Sequence, residues 1–183
     1  MSKTYKLGMD NSKVHTNPAR FVPQKKENPG RLRFVSHDEE VLLRNAIMAN
    51  RPHCIYQFDL ALNTGMRKSE QFTVELGQVD FEHEYIYLQI TKNGNERYVH
   101  LNPTALNTLG SLKEERDRRG LKFPTLFFDK QNSPIKDPRE WFPVICEEAG
   151  IEGVTWHILR HTYCSRLVMA GAAQYDTSSA PVQ

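Results

Sequence analysis

The sequence predicts a mainly helical α+β domain carrying one small three-stranded antiparallel sheet. Three observations carry that prediction. Six segments show helical apolar spacing bounded by start and stop signals; the period drops from about 3.6 to 2 between Gln78 and Asn102; and 183 residues at 39% hydrophobic are enough to bury one core. No apolar run approaches the roughly 18 residues of a membrane span, and the first twenty residues lack the apolar centre of a secretory signal. The expectation is therefore an intracellular, cytoplasmic protein with no membrane partner.

Taken in order, residues 1–33 have few periodic apolar positions and contain Asn17-Pro18, Pro23 and Asn28-Pro29-Gly30, so they read as an extended, basic lead-in. A first helix starts at Ser36, where Ser36-x-x-Glu39 forms a capping box ahead of Val41, Leu42, Leu43, Ala46 and Ile47. The second runs from Pro52 through Ile55, Phe58 and Leu62 to Gly65, a residue suited to a left-handed cap. A short third helix covers Arg67 to Leu76. Val79 and Phe81, then Ile86, Leu88 and Ile90, then Val99 and Leu101 against Tyr98 and His100 alternate like half-buried strands, with Asn93-Gly94 as a hairpin turn.

Asn102 and Pro103 open a helix with Leu106, Leu109 and Leu112 on one face, ending at Gly120, and its charged stretch Lys113 to Arg119 reads as exposed. A loop or short strand follows at Leu126 to Phe128. Asp137 and Pro138 then start a helix through Trp141, Phe142, Ile145 and Ala149 to Gly150. Thr155 caps the last helix, Trp156 to Ala170, which Gly171 closes, and residues 172–183 read as a frayed tail.

The charge is unevenly spread. The whole chain carries +2, yet residues 1–33 hold eight Lys and Arg against Asp10 and Glu27, a net +6, which leaves −4 for the remainder. Attraction to a polyanion would centre on that arm, with Lys25, Lys26, Arg31 and Arg33 as candidate DNA contacts. Three scattered cysteines, Cys54, Cys146 and Cys164, form no CxxC pair, so they read as reduced and mostly buried, with no metal site.

Three polar patterns exceed what a fold requires: Thr64-Gly65-Met66-Arg67-Lys68-Ser69-Glu70 at a helix start, Thr91 to Arg97 around Lys92 at a hairpin tip, and His157-Ile158-Leu159-Arg160-His161 early in the last helix. Arg67 near a helix N-terminus favours an anion such as phosphate. His157 and Arg160, at i and i+3, share a helix face and can converge on one ligand. Each pattern alone also has an ordinary structural explanation. Arg67 and Glu70 make a surface i, i+3 pair, Lys92 a soluble turn, and His157 a backbone hydrogen bond.

In this order the patterns resemble the catalytic domain of tyrosine recombinases, the phage integrase family. That family carries a T-G-x-R-x-x-E box, a β-hairpin lysine and an H-x-x-R-H box. The resemblance spans about residues 31–171. It implies a basic arm at 1–33, the recombinase catalytic-domain fold at 34–171 and a tail at 172–183. It also implies cleavage and rejoining of double-stranded DNA through a 3′-phosphotyrosine, without ATP or an obligatory metal or other cofactor. Arg67 and Arg160 would clamp the nonbridging oxygens, Lys92 would protonate the leaving 5′ oxygen, and His157 would assist at the nucleophile. Glu70 would orient Arg67, and His161 would support the fold.

After Gly171 the family's further His or Trp box and distant nucleophilic Tyr have no counterpart. Tyr175 lies only fifteen residues beyond Arg160, a spacing that argues against its being the nucleophile, and Tyr163 reads as core. The expectation is a C-terminally truncated catalytic domain, inactive alone, monomeric without DNA and able to meet other recombinase protomers on DNA. The alternative is a non-cleaving DNA-binding remnant, or a partner of a full-length integrase.

Overall fold

The computed structural model describes residues 3–17, 33–89, 96–135 and 137–171. The chain divides into two compact units, Met1–Arg31 and Leu32–Gln183. The first contains helix α1, Lys3–Asp10, where the sequence predicts extended chain. Its breakers, Pro18 onward, all follow the helix, so nothing in residues 3–10 forbids helical geometry. The helix closes at Ser12, in the left-handed region at φ 55°, with the Lys13 N–H donating to Gly8 O at 2.8 Å.

In the second unit, α2 spans His37–Asn50 behind the anticipated capping box. The Glu39 N–H donates to Ser36 Oγ at 3.2 Å, and the Ser36 N–H donates to Glu39 Oε2 at 2.9 Å. One turn of 3₁₀ helix from Pro52 leads into α3, Ile55–Thr64. This helix is the central element of the unit: Phe58, Leu60, Ala61 and Leu62 are all buried, and α5 and α7 (below) both pack on it.

Helix α4 covers only Lys68–Thr73, shorter than the sequence predicts. The chain leaves the helix at Val74 because residues 74–76 pair with 124–126: Leu126 N–H donates to Val74 O at 3.1 Å and Leu76 N–H to Pro124 O at 2.9 Å. Strands β1 (Val79–Asp80), β2 (Tyr85–Leu88) and β3 (Arg97–His100) form the expected antiparallel sheet in the order β1-β2-β3. Ile86 pairs with Val99 and Leu88 with Arg97, so these four residues share the core-facing side, while Tyr85, Tyr87 and Tyr98 share the other. The Asn93-Gly94 turn lies outside the described residues.

Helix α5, Pro103–Arg118, starts where Asn102 Oδ1 accepts the Ala105 N–H at 2.8 Å. Its charged end is not uniformly exposed. Arg116 retains 3% of its surface, donating to the carbonyls of Phe123, Thr125 and Leu126 and stacking over the Phe123 ring. Helix α6 covers Phe142–Glu148 rather than starting at Asp137. Pro143 supplies the reason: with no N–H and a ring that blocks the preceding turn, it belongs in a helix's first turn, which fixes the start next to it.

Helix α7, Trp156–Met169, follows Thr155, whose backbone is extended as an N-cap requires but whose side chain makes no capping bond. Gly171, at φ 75°, follows its end. Trp141, Phe142, Trp156 and Phe72 stack edge-on at 5.0–5.7 Å, joining α4, α6 and α7 in one core. No described helix is long and apolar enough to cross a membrane.

Candidate active site

The α3–α4 turn organises the site. Gly65 sits at φ 59°, a left-handed position that costs an ordinary residue energy. A Cβ there would also meet Tyr163 Cδ1 at 2.3 Å, so the tyrosine ring of α7 rests directly on the glycine. Tyr163 is half-buried and packs as the sequence implies. The Gly65 carbonyl accepts a hydrogen bond from Arg160 Nη1, which brings two motifs 95 residues apart onto one backbone turn. Thr162 strengthens the seating of α7, its Oγ1 accepting the Val35 N–H and donating to Ile158 O, both at 2.8 Å.

Two residues beyond Gly65, Arg67 donates its backbone N–H to Glu70 Oε2 at 2.8 Å and its Nη1 to Glu70 Oε1 at 2.7 Å. The carboxylate is buried, and Arg67 keeps 36% of its side-chain surface. Glu70 thus holds Arg67 in place. The sequence reading missed a third member: Arg97, at the start of β3, donates Nη2 to Glu70 Oε2 at 2.6 Å. Its one available signal was position. A charged residue falls on the apolar side of the strand alternation, where a buried partner is required.

Burial works to raise the Glu70 carboxyl, but the hydrogen bonds from Arg67 and Arg97 prevail and hold it below the usual carboxylate range. Arg160 is drawn below its ordinary value, first by burial and then by the like charges of Arg97 and Arg67. Two guanidiniums share the Glu70 carboxylate and a third, Arg160, stands at the same turn, and the excess positive charge suits an anion. His157 lies exposed one turn before Arg160. Burial, followed by His161 and Arg160, keeps it below its ordinary value, so its imidazole is neutral near pH 7 and can accept a proton. The His161 ring stands edge-on to it at 4.4 Å, a contact that fits a supporting role.

Lys92, Lys25, Lys26, Arg31 and Tyr175 fall outside the described residues. Arg33 is engaged by Glu39, with Nη2 to Oε1 at 2.5 Å and Nη1 to Oε2 at 2.9 Å, which pairs one of the eight basic side chains of residues 1–33 with a carboxylate. Cys54 and Cys146 are buried, whereas Cys164 is exposed on α7. Among the described residues no group of three or more His, Cys, Asp or Glu side chains is placed to hold a metal ion.

A shufflon-specific DNA recombinase of Escherichia coli is 29% identical over 157 residues, covering 86% of this chain and 38% of that protein. The tyrosine recombinase XerD of Mycobacterium leprae is 29% identical over 124 residues, 62% of this chain and 39% of the relative. The chain thus spans less than half the length of these curated relatives. Among solved structures, XerA recombinase superposes with a TM-score of 0.65 at 22% identity, over 92% of this chain and 60% of that one. A lambda integrase tetramer bound to a Holliday junction gives 0.71 at 18%, over 100% and 58%. These likenesses show a shared fold. The phage integrase family model matches residues 33–176, a stretch that holds both arginine boxes, and the chain belongs to the phage integrase family.

Proposed function

We propose that this chain supplies the catalytic centre of a site-specific DNA recombinase, which breaks and rejoins double-stranded DNA through a 3′-phosphotyrosine. The observation that carries this reading is the junction of Arg160, Gly65, Arg67 and Glu70, where two guanidiniums from distant segments meet at one turn. Attack on a phosphodiester builds charge on its nonbridging oxygens. Two fixed, permanently charged forks stabilise that charge more than the ground state.

In the forward step a tyrosine phenol oxygen bonds to phosphorus while the bond to the 5′ oxygen breaks. The phenol proton passes to neutral His157, and Lys92 supplies the proton taken by the leaving oxygen. Attack by a 5′ hydroxyl on the phosphotyrosine reverses each transfer and reseals the strand. The spacing after Arg160 argues that the nucleophile is not Tyr175 but a tyrosine from further chain or from another protomer assembled on DNA. The chain is proposed to be monomeric without DNA.

Fluorescence anisotropy with a labelled duplex tests the first half. Affinity should fall steeply with salt, and Arg67→Ala and Arg160→Ala should each weaken binding severalfold without loss of fold. Binding that ignores both substitutions would refute the clamp. For the nucleophile, incubation with plasmid DNA should leave no adduct that survives SDS; an adduct abolished by Tyr175→Phe would assign that residue instead.

A further inference from the structure

The β-sheet delivers Arg97 to the same carboxylate that fixes Arg67, an arrangement no motif in the sequence announces. The register places Arg97 opposite Leu88 and on the core side of the sheet with Ile86 and Val99, so its stem is buried and only 14% of its side chain is exposed. Its Nη2 lies 2.6 Å from Glu70 Oε2, and its buried Nε has no hydrogen-bond partner among the described residues. Glu70, itself 6% exposed, then takes three hydrogen bonds: the Arg67 backbone, the Arg67 guanidinium and Arg97. With two cations on one carboxylate, Arg67 is oriented without being neutralised. Without Arg97, the same carboxylate would be compensated by Arg67 alone.

We propose that Arg97 is a positioning residue that acts through Glu70. It balances the carboxylate so that Arg67 keeps its charge for a phosphate, and it braces β3 against the arginine turn. The inference rests on the reading of Arg67 and Arg160 as a phosphate clamp. Arg97 Nε is buried and Nη2 is committed to Glu70, so this edge of the guanidinium acts on an anion through the carboxylate rather than by touching it.

The test is titration of the full chain with inorganic phosphate, followed by NMR of the arginine side-chain N–H signals, with circular dichroism to verify folding. Arg97→Gln should weaken phosphate binding roughly fivefold, the scale of one intramolecular hydrogen bond lost from the Glu70 carboxylate, and should shift the Arg67 signal before any ligand is added. Arg97→Lys keeps the charge and can still donate one bond to Glu70, so it should restore affinity to within about threefold.

In a Glu70→Gln background, Arg97→Gln should change affinity less than about twofold, because the group it acts through is gone. An equal loss in both backgrounds would overturn the proposal and make Arg97 a remote charge. So would an Arg97→Lys protein that binds as poorly as Arg67→Ala. If phosphate moves the Arg67 and Arg160 signals but Arg97→Gln binds like the parent, this inference alone fails. If phosphate moves neither signal in the parent, the clamp reading fails and takes this inference with it.

Discussion

Replacing Gly65 by alanine tests the geometry on which the site depends. Two separate penalties follow from the structure. At φ 59° an L-residue costs about 1–2 kcal/mol, and the new methyl would stand 2.3 Å from Tyr163 Cδ1 and 2.9 Å from Cε1, an overpacking worth about 1–3 kcal/mol. Together they predict a loss of about 2–5 kcal/mol, or a fall in Tm of roughly 5–15 °C for a chain of this size. Guanidinium denaturation followed by tryptophan fluorescence is the assay. Both tryptophans of the sequence, Trp141 and Trp156, lie in one cluster 5.7 Å apart, so the signal reports the unit that contains the site.

The decisive comparison is with a Tyr163→Ala background, where the steric part vanishes and only the backbone part remains. There Gly65→Ala should cost about 1–2 kcal/mol, giving a coupling of at least about 1 kcal/mol between the two positions. The same cost in both backgrounds, or a parent-like stability for Gly65→Ala, would refute the account. Because the Gly65 carbonyl accepts from Arg160, the single variant should also weaken duplex binding under conditions where it remains folded.

Further outcomes follow from individual contacts. Arg116→Ala strips a buried guanidinium from the carbonyls of Phe123, Thr125 and Leu126 and should destabilise by about 2–5 kcal/mol in the same denaturation assay. Glu39, held chiefly by the Arg33 hydrogen bond, has its carboxyl lowered from 4.5 to about 2. Its contribution to stability is therefore complete above about pH 4.5 and lost as pH falls toward 2, and Arg33→Met should remove that part of an acid titration of stability. Alkylation of the native protein near pH 8 should label exposed Cys164 and spare Cys54 and Cys146, whose thiols burial pushes up to about 12 and about 11; mass spectrometry of the peptides decides it.

Much of the secondary structure was written in short local signals, because a helix end is decided by a few neighbouring residues. Ser36 with Glu39, Asn102 with Pro103, and Gly65 each act within one turn, and each stands at the boundary that its chemistry predicts. The alternation of Ile86, Leu88 and Val99 likewise determined the buried face of the sheet. Where local reading failed, a competing local rule or a distant strand was responsible. Pro143 delayed the start of α6, and pairing of residues 74–76 with 124–126 ended α4 early. The residues before Pro18 formed a helix that the breakers farther along had seemed to exclude.

For the site, the sequence determined the chemical types and their order: two arginine boxes, a glutamate three residues after the first arginine, and a histidine three before the second. Their convergence was decided by tertiary structure. Arg160 reaches Gly65 only because α7 packs on α3, and Arg97 reaches Glu70 only because strand register turns it inward toward α4. Arg116 shows the same principle without a functional role, since the carbonyls that accept its hydrogen bonds belong to a loop beyond its own helix. A hydrophobic period reports which face of an element is buried, but not which distant atoms complete a charged group once it is there. That choice is made when the elements pack, because a buried charge persists only where the assembled core supplies its partners.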